Sequence, residues 1–185
     1  MNTGLLLVRL VIAVLLFAHA MQKLRGWFHG PGLEVASSIF AKLGQQPARR
    51  MVHLAAACEL GGATLLAIGF AMPFAAAVVT GTMLVAGASL TLLGRTFWNA
   101  GGGGEYPFAL AAIAATLGFT GPGRYSLDHV LSMPWNDRSE LAACLMGTGA
   151  LVLAAVVAAV PISRARRNLA REKATASDPA TPTET

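Results

Sequence analysis

Charged residues are scarce in this chain. They make up 12% of its 185 residues, about half of what a soluble domain carries, which argues against a free-standing soluble domain. Cysteine is scarcer still. Cys58 and Cys144 stand 86 positions apart with no CxxC pair and no Cys/His zinc spacing, so neither a disulfide scaffold nor a zinc site is expected. Both lie inside apolar runs, where a thiol packs as a small hydrophobe. Acidic residues number nine against 14 Lys and Arg. The resulting charge of +5 would suit nucleic acid, but in a membrane protein such an excess more often marks the cytoplasmic loops, and no nucleic-acid partner is expected. There is no nicotinamide fingerprint, P-loop or Ser/His/Asp arrangement, and the run Gly101 to Gly104 lacks the Lys and Ser/Thr of a phosphate cradle.

What the chain has in quantity is apolar surface. Hydrophobic residues reach 55% with a mean hydropathy of +0.58, which needs an apolar solvent and defines an all-α integral membrane protein. Five apolar stretches satisfy it: Gly4 to Met21, Met51 to Phe70, Met72 to Leu93, Tyr106 to Thr120 and Leu141 to Ile162. The first resembles a secretory signal at Ala18-His19-Ala20. However, no cation precedes it, Arg9 lies inside it and Lys23 and Arg25 follow it, so it reads as a retained first span. The fourth is entered through Gly101 to Gly104, with Glu105 at its start, and its apolar part is only 15 residues long. That leaves a re-entrant segment open. Between the first two spans, Leu33, Ala36, Ile39, Phe40 and Leu43 recur at helical spacing and predict an interfacial amphipathic helix over residues 33–43. Small residues such as Ala57 with Gly61, Ala77 with Gly81 and Ala143 with Gly147 predict close helix contacts. From Ala174 onward nothing is available to bury, and a disordered tail is expected.

With five spans, eleven of the 14 cations fall on one face. They are Lys23, Arg25, Lys42, Arg49, Arg50 and Arg95, and Arg164, Arg166, Arg167, Arg171 and Lys173 of the tail; the other face has Arg124 and Arg138. The positive-inside rule puts the amino terminus outside a bacterial inner membrane and the tail in the cytoplasm.

Charges within a span need partners or a route to water. Arg9, His19 and Lys23 share one stripe of the first helix, and Glu59 lies at about the depth of His19 at 1.5 Å per residue. Glu105 begins the fourth span at the same end. His19, Lys23, Glu59 and Glu105 are therefore the candidate cluster, acting either as a site or as an ion-pair network that fixes helix register. Arg9 is placed where it would snorkel toward the outer surface. His19 and His53 are both near the inner surface, where paired imidazoles would serve as axial haem ligands, but His53 is about 120° around its helix from Glu59. No metal is expected.

These residues fall in motifs that resemble the DoxX family of membrane proteins. The motifs are Leu7-Val8-Arg9-Leu10, Ala18-His19-Ala20-Met21-Gln22-Lys23-Leu24, Glu59-Leu60-Gly61-Gly62, Gly103-Gly104-Glu105-Tyr106-Pro107, and Gly121-Pro122-Gly123-Arg124-Tyr125-Ser126-Leu127-Asp128. The resemblance covers roughly Gly4 to Asp128 and adds Arg9, Tyr106 and Asp128 to the motif residues. It implies a four-helix transmembrane core over residues 1–128. To this core the chain adds an outer loop and fifth transmembrane helix over 129–162, and a basic, then disordered, tail over 163–185.

No cofactor is evident in the residues themselves. Related DoxD proteins are similar to a subunit of thiosulfate:quinone oxidoreductase, and DoxX-like proteins are associated with membrane redox complexes that include superoxide dismutase and a sulfurtransferase. The resemblance therefore implies a membrane subunit of a quinone-linked redox or sulfur-oxidation system, with quinone as its small molecule and redox or sulfurtransferase proteins as partners. The alternatives are a non-catalytic scaffold and a small-solute or proton pathway.

Overall fold

The structure, a computed structural model, describes residues 2–135 and 139–177, with side chains to residue 175. Seven α-helices follow one another: α1 (Asn2–Arg25), α2 (Gly32–Lys42), α3 (Ala48–Ile68), α4 (Met72–Gly94), α5 (Glu105–Thr120), α6 (Leu127–Val130) and α7 (Glu140–Ser177). No strand occurs among the described residues. Helices α1, α3, α4 and α7 are each long and apolar enough to cross a membrane.

Helix α5 has 16 residues, about 24 Å at 1.5 Å per residue, against a hydrocarbon core of about 30 Å. It nevertheless passes along the bundle between α4 and α7. Its first turn carries Tyr106, whose hydroxyl meets His19 of α1, and the carbonyl of Pro122, just beyond its last turn, meets Arg9 near the start of α1. Its two ends are thus on opposite halves of the bundle, which a re-entrant hairpin would not achieve. Five helices alternate in direction between an end marked by Arg9 and an end marked by Lys23.

Packing follows the rules for helices that share an apolar solvent, where small residues permit contact and area burial adds little. Leu16, Leu66, Met72, Val79 and Ala114 fill the centre. A side chain at Gly81 would meet the backbone of Ala154 in α7 at van der Waals distance, and one at Gly147 would overlap the Phe119 ring. The expectation for Gly61 fails, because it faces open space while Gly62, one residue and about 100° further round, packs against Val79.

The largest departure from the sequence expectation is at α7. It does not stop at Ile162 but continues through the arginines to Ser177. Ala165 is fully buried against the turn at Gly44, and Asn168 donates from Nδ2 to the Gly44 carbonyl at 2.8 Å. Docking on that turn holds residues in helix that have no apolar period of their own. The expected disorder from Ala174 is therefore wrong as far as Ser177, and residues 178–185 lie outside the described residues, as does Arg138. The amphipathic helix predicted over 33–43 is α2, which lies against α1 and α3 at the Lys23 end. Trp27 and Trp98 are exposed at that end and Tyr125 at the other.

Candidate functional site

Lys23 and Glu59 come together. Lys23 closes the last turns of α1 and Glu59 sits midway along α3, and the Lys23 ammonium donates to Glu59 Oε1. Glu59 is only 3% exposed and Lys23 22%, so the pair reaches solvent only through the lysine. The second oxygen of Glu59, Oε2, is buried and has no hydrogen-bond partner among the described residues. A buried carboxyl group that is half satisfied in this way calls for a partner.

The other two members of the sequence cluster are placed differently. His19, one turn before Lys23, shares its ring nitrogens between Gln22 Oε1 at 3.2 Å and the Tyr106 hydroxyl at 3.4 Å, with the two rings edge to face. It is beside the ion pair on α1 but linked to α5. Glu105 accepts from the backbone N–H of Asn99 at 3.0 Å, closing the glycine-rich loop that leads into its own helix. It is spent on that loop and is not joined to Lys23 or Glu59. His53 is exposed and its Nδ1 is 2.7 Å from the Arg49 carbonyl, so it and His19 have separate partners.

Glu59 and Lys23 line a partly open cavity of about 490 Å³ walled by α3, α4 and α7, with α2 at one end. Helices α3 and α7 both pack on α4 but barely touch each other, and the cavity fills the space between them. Its lining is almost wholly apolar, with Met51, Leu54, Val78, Val85 and Val157 along its length. Phe40 and Leu43 close the Lys23 end, where Gln45 donates from Nε2 to Ser89 Oγ at 2.9 Å. Gln45 and Ser89 escaped the sequence reading, because a polar residue in a loop and a serine in a helix carry no signal until the fold brings them together.

Arg9 is at the other end and does not snorkel. It is 1% exposed, and its guanidinium donates to four backbone carbonyls: Leu66 at 2.8 Å from Nε, Ala67 at 3.1 Å from Nη2, and Pro122 at 2.6 Å and Tyr125 at 2.9 Å from Nη1. Two of these carbonyls are in the last turn of α3, where Leu66 O also accepts from the Gly69 N–H at 3.2 Å, and two are in the loop after α5; together they draw the side chain inward. A side chain on Gly69, where φ is +67°, would stand 2.6 Å from the Arg9 guanidinium, so glycine there serves both the turn and the arginine. Asp128, fully buried, accepts from the N–H groups of Ala71 at 2.8 Å and Met72 at 3.0 Å and caps α4.

The helices and the intramembrane polar residues define a multi-pass helical membrane protein with a buried ion pair at the wall of an apolar cavity. The DoxX family model matches residues 4–94, from the start of α1 to the end of α4, a match that supports membership of the DoxX family. The matched range contains Arg9, His19, Lys23 and Glu59; Tyr106 and Asp128 lie beyond it. No curated relative and no solved structure matches the chain.

Proposed function

We propose that this chain is the membrane subunit of a quinone-linked redox system in a bacterial inner membrane, and that the cavity at Lys23 and Glu59 receives the quinone. The observation that carries this reading is the unpartnered Oε2 of Glu59 in a cavity otherwise built for hydrocarbon. A quinone has an apolar tail and two oxygens that change from acceptor to donor when it is reduced. Its carbonyl suits the Lys23 ammonium, which has two N–H groups left after serving Glu59. The hydroxyl of the quinol suits Glu59 Oε2. The gap between α3 and α7 gives a lipid-soluble molecule a lateral way in.

Reduction of one quinone takes up two electrons and two protons. The resemblance to sulfur-oxidising systems suggests thiosulfate as the reductant, two ions joining as tetrathionate with loss of two electrons and no proton, on a partner protein. Lys23, which is partly exposed, then relays the protons from the aqueous side toward Glu59.

Binding of a short-chain quinone and its quinol to the purified full chain tests the site. Ala86 lines the cavity, and Ala86→Trp should abolish saturable binding, while Glu59→Gln should weaken the quinol about tenfold, the equivalent of about 1.4 kcal/mol. If neither ligand saturates, or if Ala86→Trp binds as the natural chain does, the reading fails. Quinone binding with no thiosulfate-dependent reduction by the chain and its co-purified partners would favour the scaffold alternative instead.

A further inference from the structure

A second recess lies on the other flank of α7, between α4, α5 and α7. It is about 460 Å³ in volume, lined by Leu84, Ala88, Phe108, Ala155, Ala159 and Ile162, with Ser163 and Arg166 at one end. We propose that this groove holds one anionic phospholipid, with an acyl chain along the apolar lining and the phosphate on Arg166.

Depth is the first argument. Helices α4 and α7 run in the same direction and Gly81 lies against Ala154. At equal rise per residue, the end of α4 at Gly94 is then level with about Arg167 of α7. The dock of Ala165 and Asn168 on Gly44 places the same stretch at the Lys23 end of the bundle. Arg166 therefore stands where the bundle meets the headgroups. From Ala155 to Arg166 the groove follows about 16 Å of helix, close to the hydrocarbon depth of one leaflet, about 15 Å. A single acyl chain of that leaflet matches it in length, and the phosphate at its head falls beside the guanidinium.

Charge is the second. Arg166 is exposed and pairs with no carboxylate among the described residues. Arg164 and Arg167 are at its level, and Arg171 and Lys173 follow within about 11 Å along the helix. The buried stripe of this segment, Ala165 with Asn168 and Leu169, is turned to Gly44, which leaves the cations on the remaining surface of the helix. A guanidinium matches a phosphodiester in both shape and charge. The surrounding cations repel the ammonium or choline of a zwitterionic headgroup, so the site discriminates for net negative lipid.

The test uses the full chain in neutral detergent, with phosphatidylglycerol and phosphatidylcholine titrated separately and followed by native mass spectrometry and melting temperature. Phosphatidylglycerol should remain bound and raise the melting temperature, and phosphatidylcholine should do so at least tenfold less effectively. Arg166→Gln should weaken phosphatidylglycerol about tenfold, Ala159→Trp should remove it, and Arg171→Gln should change it less than threefold. Equal binding of the two lipids overturns the proposal, as does an unchanged affinity in Arg166→Gln, whose exposed position makes a folding defect easy to separate. If inorganic phosphate alone produces the same stabilisation, the groove contributes nothing and the lipid assignment is wrong.

Discussion

Arg9 and Asp128 hold opposite sides of one interhelical turn. The arginine takes the Leu66 and Ala67 carbonyls where α3 ends, and the aspartate takes the Ala71 and Met72 N–H groups where α4 begins. The two charges do not form an ion pair within 4 Å; each is matched instead by backbone dipoles of the sign it requires. The backbone of Asp128 adds a third tie, its N–H donating to the Gly69 carbonyl at 3.0 Å. Three parts of the chain that are far apart in sequence, the start of α1, the α3–α4 turn and the segment after α5, are thereby fixed at one end of the bundle.

Replacing Arg9 should be among the most destabilising single changes in the protein. Arg9→Met removes four hydrogen bonds to backbone carbonyls, of which Leu66 O keeps another donor, the Gly69 N–H, and loss of one side of a buried charged network costs about 3 to 5 kcal/mol. Arg9→Lys should recover little, since an ammonium cannot span the carbonyls that a planar fork reaches. The melting temperature of each variant in one detergent checks this; an unchanged value for Arg9→Lys would show that charge alone suffices.

Asp128 should behave as a helix cap. Asp128→Ala removes both acceptors from the first N–H groups of α4, and cap deletions cost about 0.5 to 2 kcal/mol. Asp128→Asn keeps one acceptor oxygen and should lose less. The order Ala below Asn below the natural chain in melting temperature is the expected outcome, and equal losses would mean that the negative charge, rather than hydrogen bonding, holds the turn.

Orientation gives a test that is independent of any ligand. Lys23, Arg25, Lys42, Arg49, Arg50, Arg95 and the arginines of α7 all gather at the Lys23 end, against Arg124 and the buried Arg9 among the described residues at the Arg9 end. By the positive-inside rule the Lys23 end is expected to face the cytoplasm. A reporter active only in the periplasm should be silent when fused after Thr185 and active when fused ahead of Asn2. A bright signal from the carboxyl-terminal fusion would reverse this orientation.

The five long helices were legible because an apolar run needs only composition, and the loop at Gly101 to Gly104 because glycine and an acidic first turn mark a helix start. The end of α7 was not legible. Its last fifteen residues have no apolar run, and what keeps them helical is a contact with Gly44, 124 positions away from Asn168. Arg9 could be placed in depth but not in role, since its partners are backbone carbonyls that any sequence would supply. Glu59 was legible as level with His19 and as one of a cluster with Lys23; that Lys23 rather than His19 is its partner was not. Glu105, at the same end of the bundle, was drawn away by an N–H group six residues back along its own chain. The cavity had no signature at all, because it arises from two helices that share a neighbour without packing on each other.

Glu59 and Lys23 offer the sharpest separation of structure from function. Lys23 is partly exposed, so the penalty for orphaning it is small, whereas Glu59 is buried and its loss or isolation is felt in full. Lys23→Met should therefore cost more stability than Glu59→Gln, since it leaves a buried carboxylate with neither oxygen partnered; breaking a buried pair from one side costs up to about 3 to 5 kcal/mol. The double variant should be more stable than Lys23→Met alone, and its deviation from additivity measures the pair. If the pair only fixes helix register, quinol binding per folded molecule should be the same in all three variants and only the melting temperatures should differ. If Glu59 Oε2 receives the quinol hydroxyl, Glu59→Gln should lose quinol affinity while still melting close to the natural chain, and quinone affinity should fall chiefly in Lys23→Met. Loss of both ligands in parallel with melting temperature would reduce the ion pair to a structural brace.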